Sequence, residues 1–268
     1  MVTYPDSART KKALSALDFL VVEDCFLTET ASLAHVVLPA ASFAEKEGTF
    51  TNVDRRVQRV RPVVSPPGEA RSDLWILQHL CREMGAPSGP ASAREVNEEI
   101  RNLVPLYRGI DYARLDSPAC PAGIQWPCPS PDHPGTPVLY EKEFPGGKAR
   151  LAYADPGPNT DGRDSSLVLA TGPTMIHSGS LSTRSPGLLR LQGESFALLH
   201  PQDARGLGLE DGQTVSLESP RGSIQVRVTI STKAAPGVLF VPYHFGESGA
   251  NQLTGWDLKV TRVKLEKK

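Results

Sequence analysis

From Leu167 onward the sequence breaks into short apolar runs separated by turn residues, and this spacing constrains the fold more than any other feature. Residues 213–219 and 223–230 alternate between apolar and polar side chains on either side of Pro220-Arg221-Gly222, which is typical of a β-hairpin. A short helix is predicted over 201–209, where Pro201 suits the first helical position. The other strand candidates are residues 166–172, 196–200 and 236–245. Short strands with brief helices predict a closed β-barrel, which we assign to residues 165–268.

The front of the chain has a different pattern. Residues 18–24 and 36–41 are apolar runs that suit buried strands of a parallel sheet. Two such strands do not bury both faces of a sheet, so residues 1–65 are predicted to be the C-terminal remnant of a doubly wound α/β domain.

Residues 66–160 are predicted to be a helical and proline-rich connecting region. Helices are expected at 72–84 and 92–103, with Ser72 and Ser92 as their N-caps. Residues 49–64 are predicted to be one extended segment. The segments rich in Pro, Gly, Ser and Asp, which should form loops, are 117–137 and 155–158.

Charge and composition exclude several classes of function. The formal net charge is −1, and no local basic run suggests a nucleic-acid surface. One interpretation of the basic cluster Arg55, Arg56, Arg59 and Arg61 is a solvated strand face. No apolar stretch reaches the roughly 18 residues of a membrane span. The N-terminal segment lacks the apolar core of a signal peptide, so we expect a cytoplasmic protein.

Common catalytic and metal-binding motifs are missing. We find no dinucleotide-binding glycine motif after a strand, no phosphate loop and no nucleophile elbow. The six histidines lie far apart in the sequence, and no CxxC pair occurs among Cys25, Cys81, Cys120 and Cys128. Isolated reduced thiols are therefore expected, and we assign no catalytic or metal-binding residue to this chain.

Three polar clusters are the candidate binding sites. The first runs from Thr171 to Arg184 and combines hydroxyls, glycines and one cation, which suits phosphate. The second, residues 242–254, holds His244 and Asn251, whose amide both donates and accepts. The third is Asp24, followed by Thr28-Glu29-Thr30, at a strand end, where open α/β sheets bind ligands. An ordinary polar loop, a capped turn and a loop cap are the respective alternatives.

In this order and spacing the clusters resemble the molybdopterin oxidoreductase family. VVEDCFLTETASLAHVVLPAASFAEKEGTFTNVDRRVQRV (21–60) is similar to the third-domain block of the family. IQWPCP (124–129) and DHPGTP (132–137) resemble the formate dehydrogenase branch. The span 166–258, with HPQDARGLGLEDGQTV and VPYHFGESGANQLT, is similar to the C-terminal dinucleotide-binding domain.

The resemblance implies a fold and a cofactor. The fold is mixed α/β and ends in a double-psi β-barrel, and the cofactor is bis-molybdopterin guanine dinucleotide with molybdenum or tungsten. By the resemblance, a guanosine end would contact Asp24 and Thr28. The implied contacts to a pterin and its diphosphate are Thr171, His177, Ser178, Ser180, Thr183 and Arg184, and the residues implied to lie near a pterin are His244 and Asn251. Two positions depart from the family pattern: His35 replaces an Asp, and Pro173 replaces an Arg.

The implied activity is that of a formate dehydrogenase, which oxidises formate to CO2. The iron–sulfur cluster and the Cys or selenocysteine on the metal have no counterpart here, so we expect them in an N-terminal catalytic half or subunit, with electron-transfer subunits as further partners. Alone, this chain is expected to be incomplete and inactive. The alternatives are a non-catalytic cofactor-binding module and a large-subunit fragment of a quinone-linked NADH dehydrogenase or of a nitrate reductase.

Overall fold

A computed structural model describes residues 1–87, 89–141, 144, 146–148, 150–153, 166–246, 249–255 and 260–267. The α-helices of this part are α1 (Ser7–Ser15), α2 (Asp73–Glu83), α3 (Ala93–Leu103), α4 (Tyr112–Leu115), α5 (Pro186–Leu191) and α6 (Pro201–Leu207). Its strands are β1 (Val21–Asp24), β2 (Val36–Pro39), β3 (Gly48–Thr51), β4 (Arg56–Val60), β5 (Ile124–Gln125), β6 (Leu167–Gly172), β7 (Phe196–Leu199), β8 (Thr214–Ser219), β9 (Gly222–Ile230), β10 (Val238–Pro242) and β11 (Arg262–Lys267). The predicted loop at 155–158 lies outside the described residues.

The chain forms two compact units, and each is built from more than one stretch of sequence. The first, here the barrel unit, comprises residues 1–20, 28–35 and 154–268. The second, here the sheet unit, comprises residues 21–27 and 36–153. The predicted three-way division at 65 and 160 stays a prediction. Among the described residues no helix is long and apolar enough to span a membrane.

The barrel unit contains a closed six-stranded barrel in the order β10-β6-β11-β8-β9-β7, with β7 pairing back to β10. Two neighbouring pairs are parallel, β10 with β6 and β7 with β9. The predicted hairpin is β8–β9, whose register pairs Ser219 with Gly222 around the turn. Along β9 Ile224, Val226 and Val228 are buried and their neighbours are exposed, because successive side chains of a strand face opposite sides.

Closure of the barrel depends on β11, which the sequence did not predict. Val263 pairs with Leu167 of β6, and Leu265 pairs with Leu217 of β8. The alternation of polar and apolar residues in β11, Arg262-Val263-Lys264-Leu265, includes only two apolar side chains. Such a short pattern is a weak signal for a strand. Helix α1 was also not predicted; it begins after Asp6, whose Oδ1 accepts a hydrogen bond from Arg9 N at 3.3 Å.

The sheet unit carries the predicted parallel pair, since β1 runs parallel to β2 with Val21 opposite Val36. The prediction that these strands are buried is wrong, since Val21, Val36 and Val37 are 42%, 39% and 37% exposed. The prediction of one extended segment over 49–64 is wrong, because β3 and β4 form an antiparallel hairpin that β5 extends. Asn52 makes the turn: its Oδ1 accepts from Asp54 N at 3.0 Å and from Arg56 N at 2.9 Å.

Both predicted helices of the sheet unit begin at the predicted caps. Ser72 Oγ accepts from Trp75 N at 3.3 Å, and Ser92 Oγ accepts from Glu95 N at 3.2 Å. Glu95 in turn accepts from Ala91 N at 2.7 Å, and this reciprocal bonding fixes the start of α3.

The basic cluster of the sheet unit is not a uniform solvated face. The Arg59 side chain is 8% exposed, its guanidinium lies 3.8 Å from the centre of the Tyr112 ring, and its Nε donates to Asp116 at 3.0 Å. Arg55 donates to the carbonyl oxygens of Thr136 and Pro137 at 3.0 and 2.9 Å. Both arginines therefore connect strand β4 and its turn to later parts of the unit.

Candidate functional site

The loop after β6 is organised by His177, which is fully buried. Its Nε2 donates to the carbonyl of Gln192 at 2.8 Å, and its Nδ1 pairs with Ser182 Oγ at 3.1 Å. The backbone N–H of His177 donates to Thr174 Oγ1 at 3.0 Å. Both ring nitrogens of His177 are therefore used within the protein, and its role as a pterin contact stays a prediction.

His244 lies just beyond β10 and differs from His177 in its bonding. It is 1% exposed, and neither ring nitrogen has a hydrogen-bond partner among the described residues. Its ring packs 4.6 Å from the ring of Phe245. Burial, with a smaller contribution from the charge of His177, lowers the pKa of His244 from 6.5 to about 4. At neutral pH it is thus an uncharged imidazole, with one nitrogen able to donate and the other able to accept.

The hydroxyl groups predicted to hold a diphosphate fall into two sets. Thr171, at the end of β6, and Ser178 are exposed. Thr183 Oγ1 donates to the carbonyl of Ser180 at 2.7 Å and so closes a short helical turn. The loop keeps its shape through such local bonds, while the two exposed side chains face solvent.

Arg184 binds Glu29, which belongs to the third polar cluster but was not predicted to be a cofactor contact. Its Nη2 donates to both carboxylate oxygens of Glu29, at 3.0 and 2.9 Å. The two residues are 155 positions apart, and no local pattern connects them. Glu29 follows Thr28 in the TETA segment, so the only available signal was its place beside a predicted contact.

A cavity of about 420 Å³ lies beside this pair in the barrel unit. Its wall contains Thr183, Arg184 and Glu29 together with residues of β8 and β9 and the backbone at Gly246. Ser195 also lines this cavity, and its buried Oγ has no hydrogen-bond partner among the described residues. The cavity therefore offers cationic, hydroxyl and backbone groups to a polar ligand.

Asn251, in the same unit, has a clear structural contact. Its side chain is 5% exposed, and its Nδ2 donates to the carbonyl of Val2 at 2.8 Å. This bond holds the start of the chain against the segment after β10. A contact between Asn251 and a pterin stays a prediction.

The two residues predicted for a guanosine end belong to different units. Asp24 ends β1 in the sheet unit, and its Oδ1 accepts from Phe26 N at 3.1 Å. Thr28, in the barrel unit, accepts from Ala31 N at 3.2 Å through its Oγ1. Both act at least as local caps, and their contact with a guanosine stays a prediction.

The donor set fits a pterin dinucleotide better than a metal ion by itself. A buried neutral imidazole with two unpartnered nitrogens suits the edge of a heterocycle, which carries both donors and acceptors. Hydroxyls and an arginine suit phosphate. Within the described ranges no three His, Cys, Asp or Glu side chains are placed to hold a metal ion.

Comparison with known proteins agrees with this donor set. The model of the dinucleotide-binding domain of molybdopterin proteins matches residues 167–263, and the molybdopterin oxidoreductase model matches residues 1–83. This chain belongs to the molybdopterin oxidoreductase family. The expected fold is confirmed: a mixed α/β chain with a closed six-stranded barrel over the residues that match the dinucleotide-binding domain, which is a double-psi β-barrel.

Relatives within the molybdopterin oxidoreductases are named for different activities. The alpha subunit of F420-dependent formate dehydrogenase from Methanocaldococcus jannaschii is 39% identical over 100% of this chain and 42% of that subunit. The catalytic subunit of assimilatory nitrate reductase from Bacillus subtilis is 38% identical over 95% of this chain and 38% of its own length. The chain thus spans about two fifths of the length of these relatives.

A solved structure shows the same fold. Acetylene hydratase from Pelobacter acetylenicus superposes with a TM-score of 0.70 over 99% of this chain and 42% of that protein. The sequences are 20% identical, so the likeness concerns the fold alone.

Proposed function

We propose that this chain is the molybdopterin guanine dinucleotide-binding portion of a formate dehydrogenase-type oxidoreductase. The observation that carries the proposal is His244, a fully buried imidazole whose two nitrogens have no partner in the described part of the chain. Leaving buried polar atoms unpaired is costly, so such atoms point to a ligand that completes their bonding. A pterin carries both donors and acceptors, so it can complete the bonding of a ring nitrogen in either tautomer.

Each group of the site has a role in this proposal. His244 pairs with the pterin through a ring nitrogen. His177 holds the loop from Thr174 to Gln192 in the shape that presents Thr183 and Arg184. The hydroxyls and the guanidinium bind the diphosphate, while Asp24 and Thr28 hold the guanosine end. The bound molybdenum or tungsten centre would supply the two-electron chemistry that converts formate to CO2.

The chain would work with a complementary part that carries the iron–sulfur cluster and the Cys or selenocysteine on the metal. Electrons would leave through that part to electron-transfer subunits. The need for a complementary part is supported by the length of the relatives, since the chain spans about two fifths of the formate dehydrogenase alpha subunit that it matches. We propose that the assembly works in the cytoplasm, as the sequence predicts.

The choice of formate over nitrate is based on resemblance and relatives. Three F420-dependent formate dehydrogenase alpha subunits match at 38–39% identity, and a nitrate reductase matches at 38%. The IQWPCP segment favours formate dehydrogenase by resemblance, but Ile124 and Cys128 are 2% and 0% exposed and lie in the core of the sheet unit. The IQWPCP segment thus supports assignment to the formate dehydrogenase branch by resemblance, while its buried residues stabilise the core of the sheet unit.

The experiment is to co-express the chain with the complementary part of the Methanocaldococcus formate dehydrogenase alpha subunit and to assay the purified assembly. We expect formate-dependent dye reduction and no nitrate-dependent dye oxidation. Nitrate activity without formate activity would instead support the alternative that the chain is a fragment of a nitrate reductase. Cofactor binding without either activity, with a complete iron–sulfur content, would favour a non-catalytic binding module.

A further inference from the structure

Glu29 stands between two cavities of the barrel unit. The first, of about 420 Å³, is the cavity beside Arg184 described above. The second, of about 500 Å³, is lined by residues of α1, by Ser32 and by Gln252. Glu29 and Gly246 line both cavities. The Glu29 carboxylate is thus part of the wall that the two cavities share.

The bond between Glu29 and Arg184 is not the strongest that these groups form. One guanidinium nitrogen, Nη2, serves both carboxylate oxygens, whereas an ideal pair uses two nitrogens in a parallel fork. The side chains of Arg184 and Glu29 are 32% and 40% exposed. A partly exposed pair with this geometry is weakly held and exchanges readily for a better anion.

Because Gly246 has no side chain, the carboxylate of Glu29 can lie close to its backbone. A Cβ at this position would lie 2.6 Å from Glu29 Oε1. Any larger residue would therefore push the carboxylate away from its present place. The position of Glu29 beside Arg184 depends on this close approach of backbone.

The cavity wall is balanced in charge without a ligand. Arg227 forms the second ion pair of the wall, with Glu194 at 3.4 Å. Arg184 Nη2 is neutralised by the Glu29 carboxylate, so an anionic ligand gains the full charge of this guanidinium when it takes the place of Glu29. Phosphate oxygens match the guanidinium fork as a carboxylate does and carry more charge, so the exchange favours a diphosphate.

We propose that Glu29 is a displaceable placeholder for the diphosphate of the ligand, and that it sets the selectivity of Arg184 for a diphosphate, which carries two negative charges. Without ligand, Glu29 keeps Arg184 in position and separates the two cavities. When a diphosphate binds, the carboxylate leaves Arg184 and the shared wall opens. This inference deepens the proposed function and rests on it, since it assigns the positioning of the same diphosphate to Glu29.

The test uses inorganic pyrophosphate as the probe, titrated calorimetrically into the full chain at low ionic strength. Glu29→Gln removes the competing charge and keeps the side-chain volume, and we expect it to bind pyrophosphate about tenfold more tightly, which corresponds to about 1.4 kcal/mol. Arg184→Gln should weaken binding, and the double variant should match Arg184→Gln. Glu194→Gln, in the other pair of the wall, is the matched control and should change affinity less than twofold.

A purely structural role for Glu29 would give a different result. In that case Glu29→Gln would lower the thermal midpoint and leave pyrophosphate affinity unchanged or weaker, which would overturn the proposal. Absence of pyrophosphate binding in all variants would overturn it as well. If the co-expressed assembly retains the pterin dinucleotide while Glu29→Gln shows no gain in pyrophosphate affinity, the placeholder role of Glu29 is overturned and the proposed function stands. If Glu29→Gln gains affinity while the assembly holds no pterin, the proposed function fails by itself.

Discussion

The rings of His177 and His244 lie 5.2 Å apart and are inclined by 43°, yet only His177 has hydrogen-bond partners for its ring nitrogens within the described residues. One histidine builds the loop, and its neighbour presents an unpaired buried edge. This division of roles leads to opposite expectations for the two side chains.

Replacement of each histidine by leucine should separate these roles. His177→Leu removes the bonds to Gln192 and Ser182, and we expect it to lower the free energy of unfolding by about 2 kcal/mol. His244→Leu loses no bond to a described residue and keeps the packing against Phe245, so its cost should stay below about 1 kcal/mol. Urea denaturation of the full chain measures both values, and a larger cost at His244 would contradict the assignment.

The lowered pKa of His244 predicts a pH dependence of stability. The unfolded chain binds a proton at His244 below about pH 6.5, and the folded chain does so only below about 4. The stabilisation is therefore complete above pH 6.5 and is lost as the pH falls towards 4, by up to about 3 kcal/mol. Denaturation at pH 7 and pH 4.5 should show a steeper loss for the native chain than for His244→Leu. Equal losses in the two proteins would show that His244 is not the buried neutral group described here.

The arginines of the sheet unit provide a third test, because Arg59 and Arg61 both contact Asp116 but differ in exposure. Arg59 is 8% exposed and packs on Tyr112, whereas Arg61 is 58% exposed. Arg59→Ala should destabilise the chain by about 2 kcal/mol, and Arg61→Ala by less than about 0.5 kcal/mol. Comparable costs would indicate that the ring packing at Arg59 contributes little.

Barrel closure by β11 is testable at Val263, which is fully buried opposite Leu167. Val263→Asp places an unpaired carboxylate in the barrel core and should prevent cooperative folding of the barrel unit. Glu266→Ala, on an exposed position of the same strand, should leave the thermal midpoint within a few degrees. Near-native stability of Val263→Asp would mean that β11 does not close the barrel.

The parts of the fold that the sequence predicted correctly depend on local signals. Strands β8 and β9 alternate in polarity over their whole length, and Ser72 and Ser92 cap their helices from within the same turn. Strand β11 was not found because its pairing with β6 and β8 joins distant segments. The turn at Asn52 was not found because the alternation in the later part of residues 49–64 predicts one extended segment. The side-chain bonds of Asn52 show the reversal.

The candidate site follows the same rule. The polar loop from Thr171 to Arg184 and the segment of His244 were selected from their composition and from the family resemblance. The pairing of Arg184 with Glu29 of the third cluster was not predicted, because the two residues are 155 positions apart. The difference in hydrogen bonding between His177 and His244 could not be predicted from the sequence either, since both are single histidines in polar segments.

The central claim, that this chain binds a molybdopterin guanine dinucleotide, is tested most directly by the cofactor content of the co-expressed assembly. The measurement is the fluorescence of oxidised pterin and the amount of guanosine monophosphate released by acid, each per mole of chain, for the native chain and for His244→Leu. We predict that pterin and guanosine monophosphate co-purify with the native chain and fall at least tenfold in His244→Leu, with the assembly intact. An intact native assembly that contains neither compound would contradict the account.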